Sequence, residues 1–128
     1  MSQPKRQVQT SEAPQAVGPY SQAIVWNGLV FVSGQIPIER ETGAVLHGSI
    51  KDQTELVLRE VEVILKAAGS DLSRVIKSTV FLKDMSDFQA VNEVYARYFK
   101  EAPPARACVA VKDLPKGAEM EIEVIAHT

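Results

Sequence analysis

The sequence has little of several features that mark particular classes of protein. It contains one cysteine, Cys108, in 128 residues, which excludes an internal disulfide and is typical of a reducing compartment. Its two histidines, His47 and His127, lie far apart in the sequence, so a zinc or other metal site built on them is not expected. No apolar run reaches the ~20 residues that a membrane-spanning helix needs. The first twenty residues hold no hydrophobic signal segment and make only a weak mitochondrial presequence, so the cytoplasm is the predicted compartment.

A large excess of charge of one sign is also missing. The 14 Lys and Arg against 16 Asp and Glu give a net charge of −2, and the basic residues do not cluster. Proteins that bind the nucleic-acid backbone usually carry a basic face, so nucleic acid is not expected as a partner. The glycines are isolated and form neither a phosphate loop nor a dinucleotide-binding fingerprint. Because 45% of the residues are hydrophobic, residues 1–128 are predicted to form one domain with a single core.

Strands are predicted from apolar, β-branched segments bounded by turn residues. Asn27-Gly28 joins the first two main strands and is a strong signal for a hairpin turn. Both of these strands are apolar at consecutive positions, which indicates that both of their faces are covered. The predicted strands are residues 6–10, 22–27, 29–34, 75–82, 106–112 and 119–127.

Two helices of about 15 residues are predicted between the strands from the 3.6-residue period of apolar positions. Ser49 is expected to cap the first helix, which runs to about Ala68, and Ser86 or Asp87 to cap the second. The inner stripe of the second helix is predicted to consist of Phe88, Val91, Tyr95 and either Tyr98 or Phe99. The order ββ-α-β-α-ββ predicts a two-layer α+β fold with both helices on one face of the sheet. The other apolar face is then expected to pack against another copy of the chain.

The last two strands carry the residues with the most useful chemistry. Alternation places Glu119, Glu121 and Glu123 on one face of the last strand. If the two strands are neighbours and Ala107, Val109 and Val111 point inward, Arg106 and Cys108 project from the same sheet face as a glutamate such as Glu121. The planar fork of an arginine matches a carboxylate, and a glutamate nearby can hold and polarise a water molecule. The simpler interpretation is a cross-strand salt bridge between Arg106 and a glutamate. Cys108, for its part, is interpreted more simply as a small buried hydrophobic residue than as a nucleophile.

Five segments, taken together in their order and spacing, resemble the RidA (YjgF) family from about residue 5 to residue 127. The most specific is Pro104-Ala105-Arg106-Ala107-Cys108, which is followed by the strand that carries Glu121. The other segments are Gly18-Pro19-Tyr20-Ser21-Gln22-Ala23, Ser33-Gly34-Gln35-Ile36-Pro37, Val91-Asn92-Glu93-Val94-Tyr95 and Leu114-Pro115-Lys116-Gly117.

The resemblance implies a chorismate-mutase-like α+β fold and a homotrimer with sites between adjacent subunits. It also implies a cofactor-free hydrolysis of 2-imino acids and enamines, such as 2-aminoacrylate, to 2-keto acids and ammonia. On the matching positions Arg106 binds the substrate carboxylate, Glu121 holds the attacking water, and the backbone of Cys108 contacts the substrate nitrogen. The pocket-lining positions implied by the resemblance are Tyr20, Ser33, Gly34 and Asn92.

Three other functions stay open on the sequence. The same cleft could bind a 2-keto acid without turnover, which describes a regulator. The second alternative is an endoribonuclease or translation inhibitor, against which the scattered basic residues and the few aromatic ones argue. The third is a chaperone-like role for the oligomer.

Overall fold

The computed structural model describes residues 4–128, and residues 1–3 of the predicted domain lie outside that range. Every predicted strand and helix is present, with ends that differ by up to a few residues. The strands are β1 (Arg6–Val8), β2 (Ala23–Trp26), β3 (Leu29–Gln35), β4 (Val75–Leu82), β5 (Ala105–Ala110) and β6 (Met120–His127). The helices are α1 (Ile50–Ala67) and α2 (Phe88–Tyr98). The prediction of an α+β fold, with two helices packed against a mixed sheet, is confirmed.

The six strands form one sheet in the order β1-β2-β3-β6-β4-β5. All neighbouring pairs are antiparallel except β4 and β5, which are parallel. The prediction that the last two strands are neighbours is wrong, because β4 lies between β5 and β6. The reason is that α2 provides the crossover that a parallel β4–β5 pair needs. The chain after β5 then passes to the other side of β4.

Helix α1 begins and ends as its sequence predicts. The Ser49 hydroxyl accepts a hydrogen bond from the backbone N–H of Asp52 at 3.1 Å, which caps the first turn. Its apolar face is fully buried against the sheet, with Val57, Val61 and Ile64 at 0% exposure. These side chains meet the buried face of β6, formed by Met120, Ile122, Val124 and Ala126.

Helix α2 differs from its prediction at the N-terminus. Asp87 occupies the cap position but makes no side-chain capping bond, while Asp84 caps a short 3-10 turn just before the helix. Val91, Val94 and Tyr95 form the buried stripe, whereas Phe88 is 36% exposed and does not belong to it. The helices have 18 and 11 residues rather than about 15 each.

Within residues 4–128, no helix covers the sheet face opposite α1 and α2. Phe31, Trp26 and Val109 on this face are each about two-fifths exposed. We call it the open face. In residues 4–128, neither helix is long and apolar enough to cross a membrane.

Candidate functional site

Arg106 lies on β5, the edge strand, on the side of the sheet that carries the helices. It pairs in register with Ser78 of β4, which is buried beneath α2. The Nη1 atom of Arg106 donates a hydrogen bond to Oδ1 of Asn92 at 2.7 Å. The guanidinium carbon lies 4.7 Å from the ring centroid of Tyr95 and 5.6 Å from that of Phe88. One amide and two aromatic rings, all on α2, therefore hold the guanidinium group.

The simpler interpretation of Arg106 is contradicted by its contacts. Among residues 4–128, no carboxylate lies within the 4.0 Å that defines an ion pair with its guanidinium. The expected cross-strand salt bridge is therefore absent from the described chain. Most N–H groups of the Arg106 guanidinium make no hydrogen bond within residues 4–128. Such a group is suited to receive a carboxylate from outside the chain.

Glu121 lies on the open face, on the other side of the sheet from Arg106. Its neighbour Ile122 is fully buried under the helices and pairs with Val80, while Glu121 pairs with Phe81. Successive residues of a strand point to opposite faces, so the Glu121 carboxyl projects away from the helices. The prediction that Arg106, Cys108 and Glu121 share one face is wrong. The alternation of β5 is the reverse of the expected one, because Cys108 pairs with the buried Val80 and Val109 lies on the open face.

The Glu121 carboxyl lies against the backbone of β3 at Gly34. A β-carbon placed on Gly34 would lie 2.3 Å from Oε2 of Glu121 and 2.7 Å from its Cδ. The pairing of β3 with β6 is irregular between Val32 and Gln35, which is the stretch that holds Ser33 and Gly34. Burial raises the pKa of the Glu121 carboxyl, and the negative charge of Glu123 raises it further.

Ser33 and Tyr20 belong to the same neighbourhood as Gly34. The Ser33 hydroxyl donates a hydrogen bond to the carbonyl of Ser21 at 2.5 Å, which ties β3 to the residue after Tyr20. Tyr20 is 49% exposed, and its hydroxyl accepts a hydrogen bond from the backbone N–H of Val17 at 3.4 Å. We call Glu121, Gly34, Ser33 and Tyr20 the glutamate group, and Arg106, Asn92 and Cys108 the arginine group.

Cys108 is half-buried on β5, on the same side as Arg106. Burial raises the pKa of its thiol, and the charge of Arg106 opposes that shift. The backbone N–H and C=O of Cys108 are not bonded to β4, as the register of the two strands shows. The N–H of Val111 donates to the carbonyl of Leu82 in β4 at 2.9 Å. Alternation then turns the N–H and C=O of Cys108 away from β4, toward the edge of the sheet.

Two residues near Arg106 were not predicted as part of the site. Phe88 and Tyr95 were assigned only to the core stripe of α2, and both rings also lie against the guanidinium group, Tyr95 while it belongs to the buried stripe. Residues 88, 92 and 95 are separated by four and three positions, so they share one helix face with Asn92. That spacing is the signal that was available in the sequence.

A cavity of about 360 Å³ adjoins Arg106 and is walled by the C-terminal half of α2 and the loop before β5. Its lining includes Asn92, Tyr95, Ala96, Phe99, Pro103 and Pro104. A second cavity, of about 440 Å³, lies between α1 and the loop that contains Glu39 and Leu46, and it holds none of the predicted site residues. Within residues 4–128, no group of three or more His, Cys, Asp or Glu side chains is arranged to hold a metal ion.

Comparison with known proteins shows the family of this chain. The model of the family described as endoribonuclease L-PSP matches residues 10–128. Human 2-iminobutanoate/2-iminopropanoate deaminase is 43% identical over 122 residues, which cover 95% of this chain and 89% of the human protein. A RutC family protein of Pyrococcus horikoshii is 53% identical over 123 residues, covering 96% of this chain and 98% of that protein. The crystal structure of Escherichia coli TdcF with bound serine superposes with a TM-score of 0.91 at 42% identity, covering 96% of this chain and 98% of that one. The chain therefore belongs to the endoribonuclease L-PSP family, the family of the RidA proteins.

Proposed function

We propose that this protein hydrolyses 2-imino acids and their enamine tautomers, such as 2-aminoacrylate, to 2-keto acids and ammonia. The observation that carries the proposal is the Arg106 guanidinium, which is fixed by α2 and has no carboxylate partner within residues 4–128. A planar fork held in this way suits a small carboxylic acid. The name of the human relative states this chemistry, and TdcF was crystallised with serine, a small molecule that carries both a carboxylate and an amino group.

The proposed site is completed by a second copy of the chain. Arg106 and Glu121 point to opposite sides of one sheet, so a single chain does not bring them to one small substrate. If the open face packs against a neighbour, the glutamate group of one copy can meet the arginine group of the next. Head-to-tail contacts form a ring when the rotation between copies closes and an open filament when it does not. We take the ring to be the homotrimer that the family resemblance implies.

The chemistry that we propose needs orientation and one activated water. Arg106 binds the substrate carboxylate, and the outward carbonyl of Cys108 accepts a hydrogen bond from the substrate nitrogen. The imine carbon is already electrophilic when its nitrogen is protonated, so placing a water beside it supplies much of the rate acceleration. Glu121 takes a proton from that water as oxygen bonds to the carbon.

The second half of the proposed reaction returns the proton. The adduct carries a hydroxyl and an amino group on the same carbon, and Glu121 delivers its proton to the nitrogen. The carbon–nitrogen bond then breaks, ammonia leaves, and the hydroxyl loses a proton to become the 2-keto group. A raised pKa serves Glu121 in both roles, because acid–base catalysis is most efficient when the pKa approaches the working pH.

RNA cleavage has less support than this reaction. The chain carries a net charge of −2, and its histidines are at positions 47 and 127. Backbone recognition requires clustered positive charge. The arginine group offers one guanidinium beside a small cavity, which favours a small anionic substrate.

The test measures ammonia release while 2-aminoacrylate is generated in the assay, with the wild type, with Arg106→Ala and without protein. We expect the wild type to accelerate release and the variant to lose most of that acceleration while its melting temperature stays within a few degrees. Binding of pyruvate with no acceleration would indicate a regulator and overturn the proposal. So would an Arg106→Ala protein that melts lower but retains the wild-type rate.

A further inference from the structure

The backbone position of Arg106 does little to restrict the conformation of its side chain. It is exposed on an edge strand, where no further strand restricts its rotamers. Long arginine side chains populate many conformations unless other groups hold them. Oδ1 of Asn92 accepts one hydrogen bond from Nη1 of Arg106. This bond fixes the position of Nη1, but the plane of the guanidinium can still turn about it. The ring of Tyr95, with its centroid 4.7 Å from the guanidinium carbon, is the nearer of the two aromatic surfaces.

Tyr95 is itself held firmly, unlike Phe88. It is 6% exposed, and its hydroxyl makes a 2.6 Å hydrogen bond with the hydroxyl of Ser78, which is 1% exposed. Its ring also packs against Phe99, with the two centroids 4.6 Å apart. A buried hydroxyl is stable only with a partner, so this pair fixes the position of the outer end of the ring. Packing against Phe99 restricts the plane of the ring. Ser78 is the residue of β4 that pairs with Arg106, which places the anchor of the ring directly beside the arginine.

We propose that Tyr95 is a positioning residue for Arg106: its fixed ring is the surface on which the guanidinium lies, and it sets the direction of the donor fork before a carboxylate arrives. The inference rests on the proposed function, because the carboxylate is the ligand assigned there to Arg106. Preorganisation of this kind improves binding because less side-chain freedom remains to be lost when the ligand binds. The hydroxyl of Tyr95 and the ring of Tyr95 then have separate tasks. The hydroxyl stabilises the fold through Ser78, and the ring orients Arg106.

The experiment compares Tyr95→Leu, which removes the ring, with Tyr95→Phe, which keeps the ring and removes the hydroxyl. Tyr98→Leu is the matched control, because Tyr98 is on the same helix and its hydroxyl donates to Glu55 at 2.6 Å, away from Arg106. Pyruvate is the probe for the dissociation constant, and 2-aminoacrylate hydrolysis gives KM and kcat. We expect Tyr95→Leu to raise Kd and KM about tenfold, in the range of a lost cation–π contact, with kcat within about threefold of wild type.

The conservative variant should separate the two tasks. Tyr95→Phe should bind pyruvate within about threefold of wild type, while its melting temperature falls because Ser78 loses its partner. Equal losses of binding in Tyr95→Phe and Tyr95→Leu would overturn the assignment to the ring. So would wild-type binding in a folded Tyr95→Leu protein. If the leucine variant does not fold, Tyr95→Met is a second non-aromatic replacement of similar volume.

A measurement without ligand keeps this inference distinct from the proposed function. The guanidinium of Arg106 lies over the ring of Tyr95 in the wild type, so the NMR shifts of its N–H protons should be displaced upfield, and the displacement should persist in Tyr95→Phe and Tyr98→Leu. Most of it should be lost in Tyr95→Leu, which leaves only the more distant ring of Phe88. If the wild type neither binds pyruvate nor hydrolyses 2-aminoacrylate, the proposed function fails, and these shifts still decide whether Tyr95 orients Arg106. Shifts that are unchanged in Tyr95→Leu would overturn the positioning role.

Discussion

Glu121 rests so closely on Gly34 that no other residue fits at position 34 without moving the carboxyl. A β-carbon there would be 2.3 Å from Oε2, 2.7 Å from Cδ and 3.1 Å from Cγ of Glu121. Because Gly34 has no side chain, the carboxyl group of Glu121 on β6 can lie directly against the backbone of β3. The family resemblance implies that Gly34 lines a pocket, and within one chain the group that lies against it is Glu121.

Gly34→Ala is predicted to displace Glu121 and slow imine hydrolysis by about a hundredfold, the scale of an ångström-sized misplacement of a catalytic group. The melting temperature should change little, because the atoms that a β-carbon meets belong to the end of the flexible Glu121 side chain. Gly48→Ala is the control, since a β-carbon there meets its nearest atom at 3.6 Å. Steady-state rates with 2-aminoacrylate would show the difference. A Gly34→Ala protein as active as Gly48→Ala would contradict the inference that Gly34 positions Glu121.

The acidic limb of the pH profile tests Glu121 as the base. The carboxylate is the active form, and burial and Glu123 raise the pKa above its ordinary value of 4.5, so kcat/KM should fall with decreasing pH already above that value. Glu123→Gln removes the second cause of the shift, so the midpoint of the limb should move to lower pH. Glu121→Gln should lose ~10²–10⁴-fold in rate and abolish the limb. A limb that stays in place in both variants would assign water activation to another group.

Cys108→Ala is predicted to keep most of the activity. Burial raises the pKa of the thiol, which disfavours the thiolate that a nucleophilic cysteine requires. The backbone carbonyl that faces the sheet edge is unchanged by the substitution. We expect a rate within about tenfold of wild type, and a loss beyond ~10²-fold in a folded protein would show that the sulfur takes part.

The sequence was sufficient to predict the elements, because each carries its own local signal. Ser49 caps α1 as expected, and the alternation of β6 buries Met120 and Ile122 and leaves Glu121 on the other side. The order of strands in the sheet was not predictable in the same way. A short connection between two strands usually makes them neighbours, and the parallel pairing of β5 with β4 depends on how α2 packs, which is a tertiary effect.

An error about the side to which β5 turns its residues decided what could be predicted about the site. Pointing Ala107 and Val109 toward the core puts Arg106 and Glu121 on one face, whereas the register with β4 turns Val109 to the open face and Arg106 to the helix side. The roles given to the site residues came from the family resemblance and not from this geometry. Tyr95 was missed because a tyrosine in an apolar helical stripe has the same pattern whether it packs in the core or supports an arginine.

Glu60 provides a prediction about stability that is independent of the site. It is 4% exposed on α1, one carboxyl oxygen accepts from the N–H of Ile38 at 3.1 Å, and the other oxygen has no partner within residues 4–128. Burial raises its pKa to about 8. Since the folded protein keeps this proton while the unfolded chain loses it near pH 4.5, the stabilisation is complete below that pH and is lost as pH rises toward 8.

Glu60→Gln is therefore predicted to remove much of the loss of stability between pH 5 and 9, on the order of 3 kcal/mol. The amide stays neutral and retains an oxygen for Ile38. Denaturant unfolding at pH 5 and pH 9 would measure it, with the exposed Glu41→Gln as control. The prediction fails if wild type and Glu60→Gln lose the same stability over that range.

The strongest test of a site shared between copies is to mix two inactive variants. Arg106→Ala lacks the arginine group but has an intact Glu121, and Glu121→Gln has the reverse defect. When the two are refolded together in equal amounts, a site between adjacent copies is intact only if each neighbour supplies its undamaged half, so about a quarter of the wild-type activity should return in a randomly mixed ring. Mixing Arg106→Ala with Asn92→Ala is the control, because both changes damage the same half and every site stays incomplete. If Arg106 and Glu121 served one site within a single chain, the first mixture would be as inactive as the control.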